Sequence, residues 1–229
     1  MAEKTALIVG ASRGLGLGLA GELFRRGWRV IATARGPAPE LEGLAKTTGG
    51  AVRLEEVDLA SPQSQQGLLE RLAGERLDLV FVNAGVMGPK DQSLAALTPE
   101  QVGEVMWTNA FAPVRLAQLL LAQVPEGGQV AFMTSQLGSI ADNASGGWDL
   151  YRASKAAQNM LVASFFARDV AGRAVAVLSL HPGWVATDMG GPNAPLSVAE
   201  SARGMVDVLE RETAPGHRFL NYRGEPLGW

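Results

Sequence analysis

Residues 5–27 read TALIVGASRGLGLGLAGELFRRG. The first six form a short apolar run that closes on Gly10, which predicts a buried strand. From Gly14 the apolar residues recur at helical spacing and Gly27 ends the run, which predicts a helix. Between them lie Gly10, Ser12, Arg13, Gly14, Leu15 and Gly16, in the order G-x-x-x-G-x-G. Small residues let the backbone approach a pyrophosphate, and a helix N-terminus favours an anion, so this turn predicts a dinucleotide site. A three-glycine turn alone is equally a tight turn without ligand; its place in the first strand-to-helix connection favours the ligand.

Working outward, the same alternation repeats. Strands are predicted over 28–35, 51–59, 77–85, 128–135, 173–183 and 218–222. Helices are predicted over 39–47, 61–73, 97–124 (one long helix with room for a kink), 146–170 and 197–212. Strands alternating with helices predict an α/β, single-domain Rossmann fold over residues 1–229, a doubly wound and mainly parallel sheet of about seven strands with helices on both faces. The Gly- and Pro-rich stretch MGGPNAPL at 189–196 reads as a mobile loop.

Composition narrows the function. The chain has 229 residues, 20 basic and 23 acidic side chains and a formal net charge of −3, so bulk charge points to neither nucleic acid nor an anionic membrane. There is no cysteine, which excludes disulfides, thiol catalysis and thiolate metal sites. Two histidines, His181 and His217, are too few and too far apart for a typical zinc site. No apolar run has the length of a membrane span, and the expected location is cytoplasmic.

The second predicted strand ends in Thr33, Ala34 and Arg35, without the carboxylate that holds ribose hydroxyls in NAD sites. A guanidinium matches a 2′-phosphate, and Arg13 offers a second cation, so the sequence predicts NADP(H) in preference to NAD(H). Asp58 and Leu59 end the third strand, and Asn83, Ala84 and Gly85 end the fourth, at the strand ends where open α/β sheets bind ligands. Asp58 can accept from an adenine amino group, although Asn-Ala-Gly is also an ordinary strand-ending turn.

These pieces, with Asn109, MTSQLGSI at 133–140, YRASK at 151–155 and HPGWVATDM at 181–189, resemble the short-chain dehydrogenase/reductase family in order and over nearly the whole chain. The stretches NASGGWDLYRASKAAQNM, HPGWVATDMGG and GHRFLNYRGEPLGW are most similar to its C-factor and sniffer-type carbonyl reductase branch. The resemblance implies an NADP-dependent alcohol/carbonyl oxidoreductase with Ser135, Tyr151, Lys155 and Asn109 in the catalytic positions. It also implies that Lys155 holds the nicotinamide ribose and that Asn109 anchors a water leading toward Lys155. Pro182, Gly183, Val185 and Thr187 fall where the family's nicotinamide contacts lie, and His181 beside them reads as structural. Two features depart from the pattern: Val9 stands where the family usually has Thr, and Ser135 lies farther from Tyr151 than is usual. Ser139 competes by spacing; Ser135 is favoured because it ends the fifth strand and precedes x-x-Gly. The extra residues, within a lip over 136–149, and a second lip over 187–196 are expected to shape the substrate pocket, with Gln136, Trp148, Trp184 and Met189 as lining candidates.

Tyr151 and Lys155 stand four apart, so a helix presents both to one ligand. A free phenol has a pKa of about 10, and a neighbouring ammonium lowers it toward the range useful for proton transfer. The expected reaction is reduction of an aldehyde or ketone with Tyr151 as proton donor. The alternative is a nucleotide-binding signalling protein of the C-factor type with vestigial activity. Expected partners are a small carbonyl or alcohol substrate and, as the resemblance implies, further copies in a dimer or tetramer through the helices of Asn109 and Tyr151.

Overall fold

The computed structural model describes residues 4–229. Seven strands form one sheet in the order β3-β2-β1-β4-β5-β6-β7. They are β1 (Thr5–Val9), β2 (Arg29–Ala34), β3 (Val52–Glu56), β4 (Leu79–Val82), β5 (Gln129–Met133), β6 (Ala176–His181) and β7 (Gly216–Asn221). Every neighbouring pair is parallel, so the sheet is wholly rather than mainly parallel. The helices are α1 (Gly14–Arg25), α2 (Pro39–Thr47), α3 (Pro62–Arg71), α4 (Pro99–Met106), α5 (Ala112–Leu120), α6 (Asp149–Phe165) and α7 (Val198–Arg211).

Both faces of the sheet are covered, which is why its strands read as unbroken apolar runs. Along β1, Ala6 and Ile8 pack with Leu19 and Leu23 of α1 and Met205 and Leu209 of α7. Leu7 and Val9 point the other way, among Leu68, Leu116 and Phe165 of α3, α5 and α6. The long helix expected over 97–124 is interrupted by a π turn at Trp107–Phe111 and ends in a short 3-10 turn at Leu121–Gln123. The interruption lies just before Pro113, whose missing N–H has no place inside a regular helix. Helix α6 opens at Asp149, later than expected, because Gly146, Gly147 and Trp148 all have positive φ.

The order of strands reverses between β1 and β4. Connections leave β1 and β4 in opposite directions, opening a crevice at the carboxyl ends of the strands. Among the described residues no helix is long and apolar enough to cross a membrane, and no His, Cys, Asp or Glu cluster is placed to hold a metal.

Candidate active site

The glycine turn is shaped by contacts that leave no room for side chains. Gly10 has φ +86°, and a Cβ there would lie 2.7 Å from that of Ala84. A Cβ on Gly16 would lie 2.0 Å from the Gly10 carbonyl oxygen. Asn83 closes the turn by donating from Nδ2 to that same carbonyl at 2.6 Å. The Gly10 amide donates to Thr33 Oγ1 at 3.1 Å, so a threonine on β2 supplies a loop bond beside Val9. Arg13, the residue before α1, is extended and offers no side-chain cap, so the first amides of α1 remain available as donors. A cradle of this shape fits a pyrophosphate.

Arg35 follows β2, exposed and without an ion pair among the described residues. Arg13 instead bonds Asp188 at 2.8 Å across the crevice, from the glycine turn to the second lip. Both side chains are about three-quarters exposed, so water weakens this pair. Asp58 lies just beyond β3, where its carboxylate accepts from the Ala60 amide at 3.0 Å. Leu59 is buried in the core beneath α3. Ala84 continues the turn after β4, its amide donating to the Val9 carbonyl at 3.0 Å.

Ser135 leaves β5 and caps a single 3-10 turn, Gln136–Gly138, accepting from the Leu137 amide at 3.1 Å. That turn packs directly on α6, since a Cβ on Gly138 would lie 2.8 Å from Lys155 backbone. Ser135 is therefore carried to the tyrosine, and its hydroxyl interacts with the Tyr151 phenol. Ser139 is buried at the other end of the turn, where its Oγ accepts from the Asp142 amide at 3.0 Å. Lys155 donates from Nζ to the Met133 carbonyl at 2.9 Å and to Gln158 Oε1 at 3.1 Å. Its Nζ lies 5.8 Å from the Tyr151 ring centre.

Burial acts on the two groups more strongly than they act on each other. It pushes the Tyr151 phenol up to about 12, with the Ser135 hydroxyl pulling the other way. It pushes the Lys155 ammonium down to about 7. The expected lowering of the phenol by the ammonium is thus overturned in this structure. Both groups have left water, and desolvation disfavours both charged forms.

Asn109 sits in the π turn, fully buried. Its Oδ1 accepts from the Val86 amide at 2.8 Å, and its Nδ2 donates to the Val86 carbonyl at 2.7 Å and to Ser154 Oγ at 3.0 Å. Ser154 in turn donates to the Tyr151 carbonyl at 2.7 Å. Thr33, Ser154 and Gln158 lay outside the sequence expectations. Ser154 and Gln158 each stand three residues beyond Tyr151 or Lys155 on the same helix, a spacing that would have found them.

The pocket candidates separate. Met189 lines a cavity of about 550 Å³ with Arg13, Asp188, Gly85, Met87 and Val105. Trp148 lines a second one of about 260 Å³, formed with Lys90, Gln92 and Ser93. Trp184 lines neither and donates from Nε1 to the Gly190 carbonyl at 2.8 Å. Gln136 is exposed beside Ser135. Pro182 accepts at its carbonyl from Ser201 Oγ at 2.7 Å. Gly183 is held at φ +82° against Leu196 and Tyr222. Val185 bridges to Leu196, and Thr187 Oγ1 accepts from the Gly190 amide at 3.1 Å. His181 is neutral at the end of β6, burial pushing it down to about 4.

Known proteins resemble this chain in sequence and in fold. The family model described as short chain dehydrogenase matches residues 4–195. A short-chain dehydrogenase/reductase from Burkholderia multivorans, solved with bound NADP, superposes with TM-score 0.96 at 41% identity over 99% of this chain and 100% of that one. A carbonyl reductase from Pseudomonas aeruginosa PAO1 in complex with NADP gives TM-score 0.93 at 44% identity, covering all of both chains. The C-signal of Myxococcus xanthus is 38% identical over 67% of this chain and 93% of that protein. A match over most of the chain, joined to the all-parallel sheet and its glycine turn, places it in the short-chain dehydrogenase family of oxidoreductases.

Proposed function

We propose that the chain is an NADPH-dependent carbonyl reductase in which Tyr151 gives the proton. The observation that carries this reading is the convergence of Ser135, Tyr151 and Lys155 at the crevice, held by the packing of the 136–138 turn on α6. The glycine turn, the amides opening α1, Arg13 and Arg35 would hold NADP(H), and the neighbours solved with NADP support that choice. When bound, the cofactor supplies a hydride.

Ser135 orients a carbonyl oxygen by a hydrogen bond and places it near the Tyr151 phenol. The phenol, kept protonated by burial, donates its proton to that oxygen as negative charge develops there. Lys155, whose charged form burial disfavours, gains charge from anionic groups brought near it. Its charged form stabilises the phenolate left behind and passes a proton back to it. Asn109 fixes the Val86 backbone beside this group through two hydrogen bonds. Exposed Phe111 and Met160, on the segments of Asn109 and Tyr151, suit a contact between copies.

The test is consumption of NADPH at 340 nm against a panel of aldehydes, ketones and diketones. Tyr151→Phe is expected to bind NADPH as the parent does and to lose turnover by at least about a hundredfold. Tyr151→Phe with undiminished turnover refutes the role given to the phenol. Tight NADPH binding without turnover of any compound by the unmodified chain would move the signalling reading ahead.

A further inference from the structure

Helix α6 carries Tyr151 as its third residue, yet the position that normally caps such an amide cannot do so. Trp148, the residue before the helix, is left-handed at φ 55° and ψ 39° and makes no side-chain cap bond. The amide of a helix's third residue is one of those that an N-cap side chain usually satisfies. Here a residue from a distant loop takes that place. Gln92, only 5% exposed, accepts the Tyr151 N–H at Oε1, at 2.8 Å. Its Nε2 donates to the Met87 carbonyl at 2.8 Å and to the Pro89 carbonyl at 3.1 Å. Both hydrogens of the amide and its oxygen are thereby used.

The loop that receives these bonds is the wall of the larger cavity, which is lined by Gly85–Pro89. Gly88 in that loop has φ +88°, and a Cβ on it would lie 3.0 Å from Val105 and 3.6 Å from Gln92 Nε2. The loop is folded tightly around the amide. From the other side, Asn109 fastens Val86 and, through Ser154, the Tyr151 carbonyl.

We propose that Gln92 is a positioning residue for Tyr151. It ties the helix turn that bears the phenol to the loop that walls the cavity, so that proton donor and cavity wall keep one fixed separation. This inference rests on the reading of Tyr151 as proton donor. Only a side chain with one acceptor and two donors at this length serves. Leucine removes all three bonds, and asparagine keeps the chemistry but falls a methylene short.

The experiment compares Gln92→Leu and Gln92→Asn with the parent and with Tyr151→Phe. It measures kcat and KM on the best carbonyl of the panel, NADPH binding by fluorescence, and the solvent deuterium isotope effect on kcat. Both Gln92 variants are expected to bind NADPH within about threefold of the parent and to lose at least about tenfold in kcat with little change in KM. Their isotope effect should rise, because a misplaced proton donor makes proton transfer more rate-limiting. Should Gln92→Leu not fold, Gln92→Asn, which keeps a polar amide at the buried site, carries the same comparison. Parent-like kcat in the folded variants overturns the proposal. So does a joint loss of NADPH binding, rise in KM and fall in kcat with an unchanged isotope effect, which is what general loosening of the loop would give. Activity surviving in Tyr151→Phe instead overturns the reading beneath it, and is distinguished by that variant alone.

Discussion

Lys155 is an amine placed where water does not reach, 3% exposed, with the Met133 carbonyl and Gln158 as partners. Its pKa falls from 10.5 to about 7 on folding, so between those values the unfolded chain binds the extra proton. Stability therefore rises with pH across that window, and the cost of burying the lysine is largest below about pH 7. Tyr151 runs the other way: its pKa rises from 10 to about 12, and the stability tied to its neutral form is lost as pH climbs through that range. Lys155→Met should therefore be more stable than the parent by about 1 kcal/mol or more at pH 6, with the gain shrinking toward pH 10, while turnover disappears. Urea unfolding at the two pH values decides it; a gain independent of pH would exclude the burial argument. Arg35 poses a simpler charge question. Arg35→Ala should lower the ratio of kcat/KM for NADPH over NADH by about tenfold or more, the loss of one charge-assisted hydrogen bond, and an unchanged ratio would move the 2′-phosphate site elsewhere. Tyr151, Lys155 and Ser135 stood out as candidates because each lies in a short pattern, whereas Asn109 came from the family resemblance alone. The direction of the phenol's shift was not legible in the sequence, since burial is a property of the closed site and not of the spacing.

The 3-10 turn at Gln136–Gly138 is the smallest element in the site and joins its two halves. Gly138→Ala would place a methyl 2.8 Å from Lys155 backbone atoms, which cannot move without unwinding α6. The turn would be forced outward and take Ser135 with it. The expected outcome is a stability loss of about 1–3 kcal/mol together with a fall in kcat, read by thermal unfolding and NADPH consumption. Parent-like stability and rate would mean that the turn moves freely. At this scale the strands and most helices follow from apolar periodicity, and Thr98 and Ser197 mark the starts of α4 and α7 with capping boxes. The π turn at Trp107–Phe111 was not readable from periodicity, because the apolar residues of 97–124 are dense enough that an inserted residue does not mark its own position. The late start of α6 comes from Trp148 adopting a glycine-like backbone, which side-chain identity argues against.

The molecule as a whole is one sheet between two helical layers, with the lip over 136–149 fastened at its far edge. The segment after β7 folds back so that the Leu227 amide donates to the Phe219 carbonyl at 2.9 Å, and the Trp229 carbonyl accepts from the Ala141 amide at 3.0 Å. The Trp229 ring lies 4.7 Å from His217 and 5.2 Å from Phe219, so the lip over 136–149 is joined to the edge strand. The wholly parallel sheet also governs how such a molecule is reached in time. No neighbouring strands among the described residues form a hairpin, so each pairing closes a loop through at least one helix. Five of the six pairings join strands consecutive in the chain, whereas β1 meets β4 across the whole β2–β3 unit, with Ala6 opposite Leu79. That pairing opens the crevice and brings Asn83 and Ala84 against Gly10, so the glycine turn is completed only when β4 docks. Refolding is therefore expected to be slow for the chain's size, and a nucleotide that needs both walls is expected to slow unfolding rather than speed refolding, which refolding and unfolding rates measured with and without NADPH check.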